Sequence, residues 1–448
     1  MNPVLDLDID HLRARYPFQR LLMPQGGLLS GASKMAPDRG SPDLHVAVTD
    51  IGNMTKVFPH VIKPDGNDVV DEPMGGAGAD LEEEMAWLRA VMEGAERYAN
   101  MAYDSEDDFV VASGNEVGDL GIDLDAIARC SDAEYADPAC PFNPPDKSLP
   151  IRWTRGWSLT HERERWVPTV MTHLYARPSR NERFWQEIST GVAAHVDLSS
   201  AIVSALCEVI ERDALAILWL AQLPLPRIEV PVPRPPALAD NQRMLDQSLV
   251  RQHFFDATSD LEVPTVYSLQ LVENHPKLAQ YVNCATGFDP ATLVAKTIRE
   301  AAPARPVLQQ QANMPENFDD YRALSDGAGM LGRPEWRQAF DFLTRSPNSI
   351  ALGDITAPEA ERPADQVRYI LDRLSAQGFE AVICDLTTDE LRDMGIWVVR
   401  AVIPGLMPMS VVQKGRFLGT PRLYDYPRRA GFGALAEADI NPLPQPFA

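Results

Sequence analysis

The feature that most constrains this chain is a long predicted helix, residues 197–221, whose apolar sequence carries two acidic side chains one turn apart. Glu208, Glu211 and Arg212 form the pattern E-x-x-E-R, and Ser204 lies one turn earlier. Because residues three and four positions apart share a helix face, these side chains project together. The helix ends in the run ALAILWL, which is too short to span a membrane and is typical of a buried helix. Carboxylates in such surroundings are costly unless an arginine or a cation neutralises them.

A second predicted helix, residues 80–100, repeats the pattern with Glu93, Glu96 and Arg97, and Asp80 is its predicted N-cap. Two helices that each offer two carboxylates and an arginine suit Mg²⁺, which takes oxygen ligands and bridges to phosphates. The arginines would hold phosphate oxygens or orient the carboxylates. Surface ion pairs, which are common at this spacing, stay the alternative.

The rest of the chain alternates predicted strands and helices, so the predicted fold class is α+β with mixed sheets and an internal pseudo-repeat of the two acidic helices. A strand followed by a turn is predicted at 44–59, and strands are predicted at 151–159, 166–174, 379–386 and 396–403. Further helices are predicted at 290–302, ending near Pro303, and at 364–377.

Charge excludes several classes of function. The 448 residues include 41 Lys and Arg against 64 Asp and Glu, a formal charge of −23. Nucleic acid and anionic membranes require clustered basic residues, so neither is an expected partner. The five cysteines are odd in number and form no C-x-x-C pair, which argues against a disulfide framework or a zinc site and favours the cytoplasm. Cys207, Cys284 and Cys384 are predicted to be core residues.

The two acidic helices resemble those of the YcaO family, whose S-x-x-x-E-x-x-E-R patterns hold Mg²⁺ and ATP. Residues 204–212 match this pattern fully, whereas Arg89 stands where the first copy has serine in the family. A third family element resembles residues 284–305, in which Glu300 occupies the acidic position. Arg299 and Pro303 there, and His195 after the Ser-Thr-Gly turn at 189–191, depart from the family pattern.

The C-terminal part resembles one branch of that family, the SagD-like azoline-forming D proteins of thiazole/oxazole-modified peptide pathways. The similarity is carried by residues 384–409, by LGTPRLY at 418–424 and by the ending NPLPQPFA, which keeps a P-x-P-x-P motif at Pro442, Pro444 and Pro446. The resemblance covers about residues 70–448. Residues 1–65 are predicted as an N-terminal extension, with strands joining the main unit, and 66–448 as a YcaO-type cyclodehydratase domain.

The resemblance implies an ATP- and Mg²⁺-dependent peptide cyclodehydratase that converts Cys, Ser or Thr of a ribosomal precursor peptide into thiazoline or oxazoline. It implies metal binding by Glu93, Glu96, Glu208, Glu211 and Glu300. It implies contacts to ATP from Arg97, Ser204, Arg212 and Arg305. The proline tail, Pro442, Pro444, Pro446 and Ala448, is expected to place the carboxylate of Ala448 beside the substrate for proton transfer.

The same resemblance implies partners. Because the chain lacks a large N-terminal peptide-recognition domain, a separate leader-peptide-binding protein is expected, together with a flavin-dependent azoline dehydrogenase, in a hetero-oligomeric complex. Two alternatives remain from the sequence. One is a degenerate, non-catalytic YcaO scaffold, favoured by the departures at Arg89, His195 and Pro303. The other is a YcaO that forms a thioamide or amidine, against which the proline tail argues.

Overall fold

A computed structural model describes most of the chain. The described residues are 21–22, 28–29, 31–37, 39–52, 54, 58–61, 75–103, 109–310 and 315–447. Their strands are β1 (Gly31–Met35), β2 (His45–Asp50), β3 (Ala77–Asp80), β4 (Val110–Ser113), β5 (Pro150–Ser158), β6 (Arg163–Pro168), β7 (Val192–His195), β8 (Arg227–Glu229), β9 (Arg251–Asp256), β10 (Thr265–Leu271), β11 (Gln280–Thr286), β12 (Ser349–Ala351), β13 (Val382–Asp385) and β14 (Trp397–Val402).

Helices of very different lengths connect these strands. They are α1 (Glu83–Met101), α2 (Gly114–Val117), α3 (Asp132–Ala136), α4 (Leu198–Ala221), α5 (Pro236–Asp246), α6 (Pro290–Gln310), α7 (Leu324–Leu331), α8 (Asp341–Thr344), α9 (Pro363–Ala376), α10 (Asp389–Asp393) and α11 (Arg422–Arg429). Within the described ranges, no helix is both long and apolar enough to cross a lipid bilayer. The predicted α+β class is confirmed, since helices pack on separate, largely antiparallel sheets.

Three sheets make up the strand layers. The first is a three-stranded antiparallel sheet in the order β1-β2-β3. The second has the order β11-β10-β9-β8-β12, and its β8–β12 pair is parallel. The third is a six-stranded antiparallel sheet in the order β4-β5-β13-β14-β7, with β6 on the other side of β5. Its last strand, β7, lies at an edge, where it contacts both α1 and α4.

Helix α4 contacts strands of two sheets, β14 and β7 of the six-stranded sheet and β11 of the five-stranded one. Its apolar residues from Leu215 to Leu220 are all at least 95% buried, as the sequence predicts. Helix α1 packs on β3 and β2, and α6 packs on β11, β10 and β3. The three helices that carry the candidate glutamates therefore surround one region.

Two predicted element boundaries were wrong. Helix α6 does not stop near Pro303 but continues to Gln310 through both Pro303 and Pro306. Its apolar face stays buried over that length, and Arg305 donates to Gln270 Oε1 and the carbonyl of Leu278, so packing offsets the backbone bonds that proline removes. The strand predicted at 166–174 is instead β6, which ends at Pro168 before a 3₁₀ turn.

The predicted N-cap of the first acidic helix was also wrong. Asp80 is the last residue of β3, and Glu82 is the N-cap of α1. The Asp80 carboxylate instead bonds Arg89, at 3.1 Å, and lies 3.6 Å from Arg299 Nε. The prediction failed because β3 ends only three residues before α1 begins. The Asp80 carboxylate contacts arginine side chains of α1 and α6 instead of capping the helix.

Candidate functional site

The second acidic helix begins where the sequence predicts. Asp197 is its N-cap, with its side chain accepting a 2.8 Å hydrogen bond from the backbone N–H of Ser200. From that start, Glu208 and Glu211 fall on the same face as Arg212, which donates to both carboxylates and lies 3.0 Å from Glu208 Oε1. The arginine and the two acids therefore form one hydrogen-bonded cluster on the helix.

A single stretch of chain at β7 holds one glutamate from each acidic helix. Glu208 on α4 accepts a 3.0 Å bond from the backbone N–H of Gly191, and Glu96 on α1 accepts a 2.9 Å bond from Ala194. Gly191 has a φ of +84°, and an added Cβ would lie 2.6 Å from the carbonyl of Ala401. Only glycine satisfies both conditions, so the turn before β7 is fixed for this purpose.

The other glutamate of each acidic helix, Glu93 on α1 and Glu211 on α4, also accepts a hydrogen bond from a backbone N–H. Glu93 accepts a 2.8 Å bond from the N–H of Ala77, at the start of β3, and a 2.8 Å bond from Arg97. Glu211 accepts a 3.1 Å bond from the N–H of Thr286, at the end of β11. Each of the four carboxylates thus receives one backbone N–H, which fixes its orientation while leaving further oxygen lone pairs.

Helix α6 adds a fifth carboxylate and a lysine. Lys296 lies 3.4 Å from Glu300, one turn away. Burial raises the pKa of Glu211 to about 7, against the nearby charges of Arg212 and Lys296, and the carboxylate of Glu300 raises it further. Glu300 therefore lies close enough to α4 to interact electrostatically with Glu211, and its binding of a metal stays a prediction.

The pKa of Glu96, on α1, shows that carboxylates of the two acidic helices are close to one another. Burial raises the pKa of Glu96 to about 8, opposed by its hydrogen bond from Ala194 and reinforced by the carboxylates of Glu93 and Glu208. Mutual repulsion of this kind is relieved when a cation binds. The carboxylates of the two helices therefore share one electrostatic environment, and it favours a positive ligand.

The donor set fits Mg²⁺ in a particular way. Among the described residues, no three carboxylate, imidazole or thiol groups converge on a single metal position. Mg²⁺ usually takes one or two protein carboxylates and completes its octahedron with water and nucleotide phosphates. Carboxylates arranged as pairs on two neighbouring helices, rather than as a closed cage, suit that mode. Glu96, with Oε1 held by Ala194, offers a second oxygen to which no described residue donates.

The residues predicted to contact ATP are in three different situations. Arg97 and Arg212 lie within the carboxylate cluster. Ser204 is exposed, one turn from Glu208 on α4. Arg305 is 1% exposed and donates to groups of β10 and of the loop before β11, so in this structure it holds α6 to the sheet. Its contact to ATP, and that of Ser204, stay predictions.

The proline tail is packed and extends to the carboxylate cluster. Asn441 bonds the carbonyls of Trp219 and Leu220 at the end of α4, and Pro444 and Pro446 are buried. The ring of Phe447 lies 4.5 Å from the Arg212 guanidinium. Pro442 is exposed, and Ala448 lies outside the described residues, so its role stays a prediction. Phe447, the last described residue of the tail, therefore contacts an arginine that also bonds two candidate metal ligands.

Sequence reasoning missed two basic residues of this region. Lys296 precedes Glu300 by one helical turn, a spacing that could have indicated the pair. Arg400 lies in β14 and is 4% exposed. Burial lowers its pKa to about 10 against the nearby charge of Glu208. No local pattern marks Arg400, because only the packing of β14 against α4 brings it near Glu208.

The departures from the family pattern have structural explanations. Arg89 and Arg299, which replace a serine and a threonine, both contact Asp80, so they link α1, α6 and β3. His195 ends β7 and pairs in register with Trp397. Cys207 and Cys284 adjoin the cluster, but both thiols are buried and burial raises their pKa values, so they are core residues as predicted.

Fold and site together define an α+β protein in which two similar helices each carry two glutamates and an arginine and are joined through backbone N–H groups at β7. A sequence profile described as YcaO cyclodehydratase, ATP- and Mg²⁺-binding, matches residues 76–407. The chain belongs to the YcaO family, and the resemblance drawn from its motifs is confirmed.

The chain is also similar to a protein of known sequence and to solved structures. An uncharacterized protein in the tfuA 3′ region of Rhizobium leguminosarum bv. trifolii is 26% identical over 348 residues, 73% of this chain and 76% of that protein. A heterocyclase solved with substrate and cofactor is 22% identical with a TM-score of 0.79, over 98% of this chain. This chain spans only 57% of the length of that heterocyclase.

Two further structures share the fold. YcaO from Methanopyrus kandleri, bound with AMPPCP and Mg²⁺, is 16% identical with a TM-score of 0.60, over 89% of this chain and 90% of that one. A chain of the E. coli microcin synthetase McbBCD complex with pro-MccB17 bound is 13% identical with a TM-score of 0.56, over 84% and 87%. At these identities, the likeness establishes the fold.

Proposed function

We propose that the chain is the azoline-forming, ATP-dependent cyclodehydratase subunit of a heterocycle synthetase that acts on a ribosomal precursor peptide. The observation that carries the proposal is the joining of the two acidic helices at β7, where Gly191 and Ala194 hold Glu208 and Glu96. This arrangement keeps carboxylates of both helices close enough to repel one another, and such a concentration of negative charge favours the divalent cation that phosphoryl transfer uses.

The reaction makes an amide oxygen into a leaving group. The side-chain sulfur or oxygen of Cys, Ser or Thr adds to the preceding backbone carbonyl carbon and loses its proton. The carbonyl oxygen then displaces ADP from the γ-phosphorus of ATP. Loss of phosphate, with departure of the amide proton, leaves the C=N bond of the azoline. Addition, phosphorylation and elimination together consume one ATP and remove one water equivalent per ring.

In this proposal each group in the cluster has a role. Glu93, Glu96, Glu208, Glu211 and Glu300 hold Mg²⁺, which neutralises phosphate charge when it is bound. Arg97 and Arg212, which already bond these glutamates, also face phosphate oxygens, together with Ser204 and Arg305. The carboxylate of Ala448 accepts the proton of the attacking nucleophile, and the buried prolines Pro444 and Pro446 fix the approach of the tail.

Partners follow from the same proposal. The similar McbBCD structure is a complex with pro-MccB17 bound, which supports a precursor peptide and partner subunits for this chain as well. We place a leader-binding protein and a flavin-dependent azoline dehydrogenase in that complex. The strongly acidic chain, with a formal charge of −23, favours a basic surface or a basic leader segment on the partner side.

The test measures phosphate release and peptide mass together, using the full chain, ATP, Mg²⁺, and the peptide and proteins encoded beside its gene. We expect each ring to release one phosphate and remove one water mass. Glu208→Gln should abolish both by removing a charged ligand while keeping the hydrogen-bond acceptor for Gly191. Glu164→Gln, which removes only an exposed ion pair with Arg155, is the matched control.

Other outcomes distinguish the alternatives. Release of phosphate with sulfur gain instead of water loss would indicate a thioamide-forming enzyme. Binding of the peptide without any ATP binding would indicate a non-catalytic scaffold. Either result would refute the proposed reaction.

A further inference from the structure

A pocket adjoins the carboxylate cluster, between β14, α4 and the segment that follows β14. Most of its lining is apolar, and the side chains that form it include Met171, Trp185, Ile188, Ile403, Leu406 and Met407. Its polar lining residues are Thr190 and two arginines, Arg212 and Arg400. The pocket therefore combines an apolar interior with two cationic groups, a combination that suits an uncharged side chain attached to a polar or anionic oxygen.

The two arginines have unused hydrogen-bonding capacity. Arg400 is 4% exposed and donates from Nη1 to the carbonyl of Ile188 at 2.8 Å. Its buried Nε has no partner among the described residues, and the same holds for Nε of Arg212. A buried N–H without an acceptor is unfavourable, so an oxygen of a bound ligand would satisfy a donor that the protein leaves unpaired.

The pocket is next to the groups that the proposed reaction uses. Arg212, part of its lining, lies 3.0 Å from Glu208 on one side. On another side its guanidinium lies 4.5 Å from the ring of Phe447, at the end of the described tail. A group bound in the pocket is therefore adjacent both to a candidate metal ligand and to the tail.

We propose that this pocket binds the apolar side chain of the peptide residue whose carbonyl is attacked, and that Arg400 donates to that carbonyl oxygen. The inference rests on the proposed function. It makes the chain selective for a large apolar residue immediately before the Cys, Ser or Thr that cyclises. Arg400 then stabilises the negative charge that the oxygen gains when the nucleophile adds. A purine ring is the competing occupant, because it is also flat, uncharged and attached to anionic groups.

The test measures binding separately from turnover. Fluorescently labelled peptides with blocked ends, Leu-Cys-Gly and Gly-Cys-Gly, are titrated with the full chain, with and without AMPPCP and Mg²⁺. Burial of a leucine side chain predicts at least about tenfold tighter binding of the Leu peptide. Ile403→Ser should remove that preference, whereas Ile355→Ser, at a similarly buried isoleucine outside the pocket, should keep it. Thermal melts of both variants establish that they are folded.

Arg400 is tested by two substitutions. Arg400→Met should weaken both peptides equally and lower the rate of ring formation by about a hundredfold or more, the usual effect of losing one donor to a developing oxyanion. Arg400→Lys should recover part of that rate, because lysine keeps the positive charge. If Arg400 had only a structural role, the two variants would form rings at the same rate when their stabilities are equal.

The outcomes separate this inference from the proposed function. Equal binding of the two peptides by the folded wild-type chain, or absence of binding, would overturn the pocket assignment. Displacement of the Leu peptide by AMPPCP would assign the pocket to the nucleotide and also overturn it. Selective binding without ring formation would support the pocket and refute only the cyclodehydratase function.

Discussion

Replacing Glu96 by glutamine should remove a pH-dependent loss of stability. In the folded chain burial raises the pKa of Glu96 to about 8 from an ordinary value of 4.5. Between these values the folded protein holds a proton that the unfolded chain releases, so raising the pH favours unfolding. The destabilisation is absent below pH 4.5 and complete above pH 8. Glutamine has no such proton and still offers Oε1 to the N–H of Ala194.

The size of the effect follows from the shift in pKa. The rise in the pKa of Glu96 from 4.5 to about 8 corresponds to at most about 5 kcal/mol. Glu96 is only half-buried, and water at its carboxylate reduces this, so we expect roughly 2 kcal/mol. For a chain of this length that is about 2 °C in melting temperature. Glu96→Gln should therefore melt with wild type at pH 5 and about 2 °C above it at pH 8.5.

The assay compares melting curves of the two proteins without metal, at both pH values, and repeats them with Mg²⁺ and AMPPCP. Glu187 supplies the control, since burial also raises its pKa, to about 7, and it accepts a 2.7 Å bond from the N–H of Ala176. Mg²⁺ and nucleotide should reduce the difference for Glu96→Gln but not for Glu187→Gln. An equal difference between wild type and Glu96→Gln at pH 5 and pH 8.5 would refute the reasoning.

Two further predictions concern the surroundings of the site. Asp213→Ala should lower stability by about 3–5 kcal/mol, measured by urea unfolding, because it leaves the buried Arg422 without the 2.7 Å partner that also accepts the N–H of Met407. Gly327→Ala should lower the turnover rate without changing nucleotide affinity, measured by steady-state kinetics and AMPPCP titration. Its Cβ would lie 2.0 Å from the carbonyl of Gln445 and displace the tail. Unchanged stability or unchanged turnover, respectively, would contradict these accounts.

Local patterns predicted the helices of the site well. The helix expected at 197–221 is α4, with Asp197 as its N-cap. It could be predicted because helix capping and the apolar helical pattern depend only on residues that are close in the sequence. The helix expected at 364–377 is α9 to within one residue at each end. The spacing E-x-x-E-R placed each glutamate pair beside its arginine for the same local reason.

Features that depend on distant parts of the chain were not predicted. The strands β9 and β10 were not predicted, and their burial is set by pairing within the five-stranded sheet. The N–H groups that hold Glu96 and Glu208 come from β7 and from the glycine just before it, and no sequence spacing indicates them. Arg400 was missed for a related reason, since an arginine in an apolar strand becomes interpretable only when its neighbours across the sheet are known.

The most direct test of the central claim follows one oxygen atom. The precursor peptide is prepared with oxygen-18 in the backbone carbonyl before the residue that cyclises, and is treated with the full chain, its partner proteins, ATP and Mg²⁺. The account predicts that the label leaves in inorganic phosphate, one labelled phosphate per azoline, and that Glu208→Gln releases none. Azoline formation with the label in water rather than phosphate would contradict phosphorylation of the amide oxygen and, with it, the proposed function.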